Sequence, residues 1–170
     1  TILVPHLYLD LSSKLIGQAN NLKYLFTPST GTNHIDLQAV KENDINFYCL
    51  SDNADFISEI SSTAELAWLL ILSANRKIIP LNRRVISENS WKNNDIRGNQ
   101  LKNKTIGIIG FGRLGKMVYE YAKSFDMNIL IYDIDENSVL GFENHVIDFD
   151  GLIKSSDVIT LHPKLNDTSF

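Results

Sequence analysis

Residues 104–133 read KTIGIIGFGRLGKMVYEYAKSFDMNILIYD, and this stretch decides the fold. The apolar run Ile106–Ile109 ends in Gly110-Phe-Gly112-Arg-Leu-Gly115. An amphipathic segment follows, then a second apolar run that closes on Asp133. The order is strand, glycine turn, helix, strand, acidic residue, which is how a chain holds the pyrophosphate and ribose of a dinucleotide. Gly110 allows the tight turn, Gly112 lets backbone approach the phosphates, and Gly115 lets the helix lie close to the strand. The unpaired N–H groups and positive dipole end of the new helix then face an anion. Asp133 lies 18 residues after Gly115, close to the spacing of about 20 at which a carboxylate accepts the ribose hydroxyls. A carboxylate there repels a 2′-phosphate, so the expected cofactor is NAD and not NADP. Arg113, at the helix start, can lay its guanidinium along the pyrophosphate.

A rival reading of the same residues is a triphosphate-binding P-loop, Gly110-x-x-x-x-Gly115-Lys116. That loop needs Ser or Thr after the lysine to hold magnesium. Met117 stands there instead, a poor ligand for a hard cation, and the central Gly112 serves a dinucleotide turn better. The dinucleotide reading is preferred.

Working outward, residues 1–52 alternate strand and helix. Ile2–Val4, Tyr24–Phe26 and Ile45–Leu50 read as strands. Leu11–Ala19 and a segment from Asn33 or His34 to about Lys41 read as helices, with a loop at Pro28–Gly31. Ser51–Asp55 is a polar break. From Phe56 to about Ile79 the pattern is helical, and from Ala64 to Leu72 it is apolar on nearly every face. Such a helix is expected to be buried all round, in a domain junction or a subunit interface, with Pro80 kinking or interrupting it. Asn82–Lys104 is polar, with Trp91 as a lone apolar anchor, and reads as a helix end and loop. After Asp133 come a turn-rich patch at Asp135–Asn144, a short helix at Phe149–Lys154 and a strand at Val158–Leu161. The fold class is therefore α/β, a Rossmann-like doubly wound parallel sheet that looks incomplete, because a dinucleotide fold needs further strands after Val158–Leu161.

Bulk properties narrow the function. The 170 residues are 44% hydrophobic and 21% charged, with a net charge of −4, so nothing favours nucleic-acid or anionic-membrane partners. The most apolar run, Leu66–Leu72, is too short to span a bilayer. One cysteine, Cys49, excludes an internal disulfide framework, and the amino end TILVPHLYLDL does not read as a signal peptide. A cytoplasmic location is expected. The scattered histidines His6, His34, His145 and His162 have no carboxylate or thiol at metal-ligand spacing, so no metal site is expected. His162 closes a strand at a sheet edge where ligands bind, and both a structural and a catalytic role stay open for it.

Several segments in order resemble the D-isomer-specific 2-hydroxyacid dehydrogenases: Leu22–Asp36 (LKYLFTPSTGTNHID), Ile60–Arg76, Trp91, Arg97-Gly98, Leu101–Gly110 (LKNKTIGIIG) and Ser156–Pro163 (SDVITLHP). The resemblance implies two lobes, a flavodoxin-like substrate lobe and a Rossmann-like cofactor lobe, with the active site between them. Residues 1–52 would be the later part of the substrate lobe, and residues 53–170 the interdomain helix and first half of the NAD lobe. It implies hydride exchange between NAD(H) and a small 2-hydroxy or 2-oxo acid, and a homodimer formed through the apolar helix. Carried over, Arg113 and Leu114 would meet the pyrophosphate and Asp133 the ribose. Pro163 and Thr168 would line the cofactor edge, and Thr30 and Gly31 would meet substrate or nicotinamide. Asn103 stands where the family often has glycine, and His162-Pro163-Lys164 lacks the usual residue between histidine and proline. No residue matches the family's catalytic arginine, acidic residue and histidine. The chain is therefore expected to be part of a longer enzyme and inactive alone. A non-enzymatic NAD-sensing protein on the same scaffold is the alternative.

Overall fold

The computed structural model describes residues 1–88 and 95–164. Trp91 and Thr168 lie outside the described residues. The chain forms two compact units, Thr1–Ile60 and Ser61–Pro163.

In the first unit, strands β1 (Ile2–Leu3), β2 (Tyr24–Thr27) and β3 (Asn46–Cys49) pair in parallel in the order β1-β2-β3. Helices α1 (Ser13–Gly17) and α2 (Leu37–Glu42) connect them, and Leu11, Ile16, Leu25, Ile35, Ala39, Val40 and Ile45 form the core. Along β2, Leu25 and Thr27 are buried while Tyr24 and Phe26 are exposed, the period-2 alternation of a strand packed on one face. On the bare face Phe26 stacks on Tyr48 at 4.9 Å between ring centroids. Helix α2 begins later than the sequence reading placed it. Asp36 caps it, its carboxylate accepting from Ala39 N–H at 2.9 Å, so residues 33–36 belong to the preceding loop.

The expected long helix is three. Helix α3 (Ala54–Ser58) closes the first unit; α4 (Ser62–Asn75) and α5 (Ile78–Glu88) open the second. The break between α4 and α5 falls at Lys77, with φ of 57°, and not at Pro80. Pro80 sits in the first turn of α5, where a missing N–H leaves no helix bond unmade. The stretch Ala54–Asn75 is apolar and long enough in composition to cross a bilayer. Its longest unbroken helix, however, has 14 residues, about 21 Å against a hydrocarbon core of about 30 Å. Within this chain the helix is covered on one side only. Ala64 and Trp68 are buried, but Leu66, Leu69 and Leu70 are each more than half exposed. Composition sets how apolar a helix is; the chain's own packing covers one side of it. Trp68 packs that side against Tyr121 and Phe125, at 5.9 and 5.1 Å between centroids.

The second sheet holds β4 (Thr105–Ile109), β5 (Asn128–Tyr132) and β6 (Val158–Leu161), all parallel, in the order β5-β4-β6. Helix α6 (Arg113–Ser124) connects β4 to β5, and α7 (Phe149–Ser155) precedes β6. A parallel bridge joins Ile131 to Val146, and Ile147 N–H donates to Ile131 O at 3.1 Å. This rudimentary strand lies outside β5. The chain thus steps outward from β4 through β5 to residues 146–147, then crosses to the other side of β4 for β6. The strand order reverses beside β4, the topological switch point at which open α/β sheets bind ligands. Asn103, with φ of 64°, takes the left-handed conformation that glycine supplies readily and Asn tolerates.

Candidate cofactor site

Buried Ile106, Ile108 and Ile109 fix β4 in the sheet, and its last residue delivers Gly110 to the switch point. Gly110 has φ of 86°. A Cβ there would also lie 2.5 Å from Pro163 N and 2.6 Å from His162 C. Two separate constraints therefore require glycine: the left-handed turn and the close passage of the β6 exit. Gly110 N–H donates to Tyr132 O at 2.9 Å, tying the turn to the end of β5. Gly115 is a close-approach glycine, because a Cβ there would lie 2.3 Å from Gly110 O. Gly112 faces open space, with nothing within 4 Å of its missing Cβ, and forms the N-cap of α6. The residue types thus build a cradle: a tight turn, a side-chain-free approach, and the N-terminus of a 12-residue helix with no side-chain cap, the kind of helix end that suits an anion. Arg113 and Leu114 occupy that first turn, both half-buried.

Asp133 follows β5 and is half-buried. Its Oδ2 accepts Phe111 N–H at 2.5 Å and its Oδ1 accepts Asp135 N–H at 2.9 Å. A carboxylate has about four acceptor positions. Two are taken by backbone, which locks the group's orientation and leaves two for a vicinal diol. The geometry thus brings Gly110, Gly112, Arg113, Leu114, Gly115, Asp133 and Pro163 to one edge of one sheet. The chemistry of these residues fits a dinucleotide: the cradle would take the pyrophosphate and the oriented carboxylate the ribose.

His162 forms the wall of the turn. Its N–H donates to Ile109 O at 2.7 Å, and its Nε2 lies 2.9 Å from Thr160 Oγ1. Burial pushes its imidazole pKa down from the ordinary 6.5, because desolvation penalises the cation. Met117, which displaced the P-loop reading, packs against the core.

Thr30 and Gly31 lie in the first unit, both exposed, at the carboxyl ends of β2 and β3. Their loop is held from below. Ser29 Oγ donates to Gly31 O at 2.7 Å and lies 2.8 Å from Thr27 Oγ1. Cys49 Sγ donates to Ser29 O at 3.0 Å and accepts from Ser51 Oγ at 3.1 Å. The free, buried Cys49 is thus part of the loop's support. Among the described residues, no group of three or more His, Cys, Asp or Glu side chains is placed to hold a metal ion.

Sequence reasoning missed the residues beneath the turn, where Phe111, Tyr119, Phe142 and His145 pack together. Phe111, set between two glycines of the motif, was the one signal that could have led to them.

Residues 68–169 match the model of the D-isomer specific 2-hydroxyacid dehydrogenase NAD binding domain. The chain belongs to the D-isomer specific 2-hydroxyacid dehydrogenase family. It is 36% identical over 161 residues to a D-3-phosphoglycerate dehydrogenase of Archaeoglobus fulgidus, covering 93% of this chain and 29% of that protein. It is 31% identical over 170 residues to a hydroxypyruvate reductase of Thermotoga maritima, covering 99% of this chain and 53% of the relative. Among solved structures, a D-lactate dehydrogenase from Aquifex aeolicus complexed with NAD and lactic acid is similar, with a TM-score of 0.82 and 28% identity. That likeness covers 99% of this chain and 49% of the other. The chain therefore spans about half or less of the length of these relatives.

Proposed function

We propose that this chain carries the NAD-binding part and one substrate-side loop of an oxidoreductase that exchanges a hydride between NAD(H) and a D-2-hydroxy acid or the matching 2-oxo acid. The observation that carries the reading is Asp133, a carboxylate oriented by two backbone N–H groups beside a glycine turn at the sheet's switch point. When bound, NAD supplies the nicotinamide that gives or takes the hydride. The chain's residues bind and orient it. The α6 N-terminus and Arg113 offset the pyrophosphate charge, the Leu114 backbone completes the cradle, and Asp133 accepts from the ribose hydroxyls and repels a 2′-phosphate. Pro163, and Thr168 from the family resemblance, line the cofactor's edge. Thr30 and Gly31 are exposed, and backbone N–H groups of such a loop suit a substrate carboxylate.

No residue here is assigned the cation and proton-donor roles that 2-oxo acid reduction requires. The 170-residue chain is accordingly expected to bind NADH without turnover. Fluorescence titration tests the reading. NADH is expected to bind, NADPH to bind at least about tenfold more weakly, and magnesium-ATP not to compete. Magnesium-dependent ATP binding without NADH binding overturns it.

The same proposal includes a homodimer and a cytoplasmic location. Exposed Leu66, Leu69 and Leu70 on α4 support the first, since contiguous apolar surface marks interaction sites. Sedimentation should show a dimer that Leu69→Glu with Leu70→Glu dissociates; an unchanged mass removes that assignment. The free Cys49 is compatible with a reducing compartment, and cell fractionation tests the second.

A further inference from the structure

Phe111 belongs to both halves of the cofactor site. Its N–H donates to Asp133, and its side chain is fully buried. The ring meets Phe142 edge-on at 4.8 Å between centroids and Tyr119 at 5.8 Å. Tyr119 and Phe142 meet each other at 5.0 Å, so three mutually edge-on rings close a triangle under the glycine turn. Edge-to-face packing is directional, because the ring quadrupole favours an edge against a face. The triangle fixes where the Phe111 ring points, and so constrains its backbone.

A hydrogen-bond chain latches the triangle. Tyr119 Oη lies 3.2 Å from His145 Nε2, and His145 Nδ1 lies 3.2 Å from Ile129 O. A carbonyl oxygen only accepts, so in the neutral imidazole Nδ1 carries the proton and Nε2 accepts from the Tyr119 hydroxyl. The latch joins α6, which follows the glycine turn, to β5, which leads to Asp133. It also anchors the 3₁₀ turn Glu143–His145 directly after Phe142.

We propose that Tyr119 and Phe142 are positioning residues for NAD. By holding the Phe111 ring they set the bond between Phe111 N–H and Asp133, and so couple the phosphate turn to the ribose carboxylate. This rests on the NAD reading of the site. Neither residue touches the ligand; both act through Phe111.

The test compares Phe142→Leu and Tyr119→Phe with Leu152→Ala, a core substitution from α7, which packs against Gly107 of β4. Three quantities are read: the NADH dissociation constant, the hydrogen-exchange rate of the Phe111 amide in cofactor-free protein, and the unfolding temperature. Phe142→Leu is expected to weaken NADH about tenfold and to speed Phe111 amide exchange beyond what global unfolding explains. Tyr119→Phe, which keeps the ring and loses the hydroxyl, shifts both the same way by about threefold, and decides alone if Phe142→Leu does not fold. Leu152→Ala is expected to lower the unfolding temperature and leave the other two readings at wild-type values. Wild-type binding with NADH affinity and Phe111 exchange unmoved in the ring variants overturns the proposal alone. A wild-type chain that does not bind NADH overturns the NAD reading and this proposal with it.

Discussion

Replacing Asp133 with asparagine separates two roles that its geometry combines. Asp133 accepts backbone N–H bonds through both oxygens, from Phe111 and from Asp135. Asparagine keeps one acceptor oxygen and turns an NH2 group toward the other donor. One charge-assisted bond is lost and the other becomes neutral, which should lower the unfolding free energy by about 1–3 kcal/mol. The charge matters separately for cofactor choice. A carboxylate and a 2′-phosphate charge about 5 Å apart repel by about 3 kcal/mol at an effective dielectric constant near 20. At 1.4 kcal/mol per factor of ten, removing that repulsion should move the NADH/NADPH preference by about 100-fold. NADH itself should weaken, because the amide is a poorer acceptor for the ribose diol. Paired fluorescence titrations with NADH and NADPH, on wild type and Asp133→Asn, read the ratio, while urea unfolding reads the stability. If both cofactors weaken equally and the ratio stays put, Asp133 supports the turn but does not face the ribose, and the reasoning fails.

Gly115→Ala should weaken NADH binding and destabilise the chain by about 1–3 kcal/mol, since the new Cβ would lie 2.3 Å from the Gly110 carbonyl oxygen; thermal unfolding and NADH titration check both. Trp68→Ala should lower the unfolding temperature through a loss of about 3–5 kcal/mol, with little change in NADH affinity, because its ring packs on α6 away from the turn. Asp157 is held below its ordinary pKa of 3.8 by Thr105 N–H and by Lys104. A depressed carboxyl pKa stabilises the fold above the unfolded value and loses that contribution as pH falls through the folded one. The stability gap between wild type and Asp157→Asn should therefore be constant near pH 7 and close below about pH 4. For His162, burial lowers the pKa from 6.5, so the same sign holds: its contribution is full above that value and declines as pH falls below it. His162→Gln should flatten stability between about pH 7 and 5, as read by chemical unfolding at each pH.

The glycine turn was legible because each requirement is local. A left-handed φ at Gly110 and a helix packed on the strand end at Gly115 are written in three glycines at fixed spacing. The strands of both sheets were legible from their apolar runs. The helix breaks were not. Lys77 takes a left-handed φ without being glycine, and Glu59–Ser61 interrupts the chain with no glycine or proline to announce it. Pro80 misled in the opposite direction, since a proline in a first turn starts a helix as readily as one further in ends it. The rudimentary strand at Val146 is a single bridge and leaves no periodic signature. The Phe111, Tyr119, Phe142 and His145 cluster was illegible for a different reason. Its members come from a turn, a helix and a loop, and only the closed fold brings them together. The exposed leucines of α4 show the same limit: their apolar character is read from sequence, but what covers them is not.

Amide-resolved NMR titration of the 170-residue chain with NADH tests the central claim most directly. The largest shifts are expected on Gly110–Gly115 and on Asp133 with Asp135, saturating together with one dissociation constant. Saturable NADH shifts that spare the glycine turn and Asp133, or no shifts at all at millimolar NADH, would contradict it.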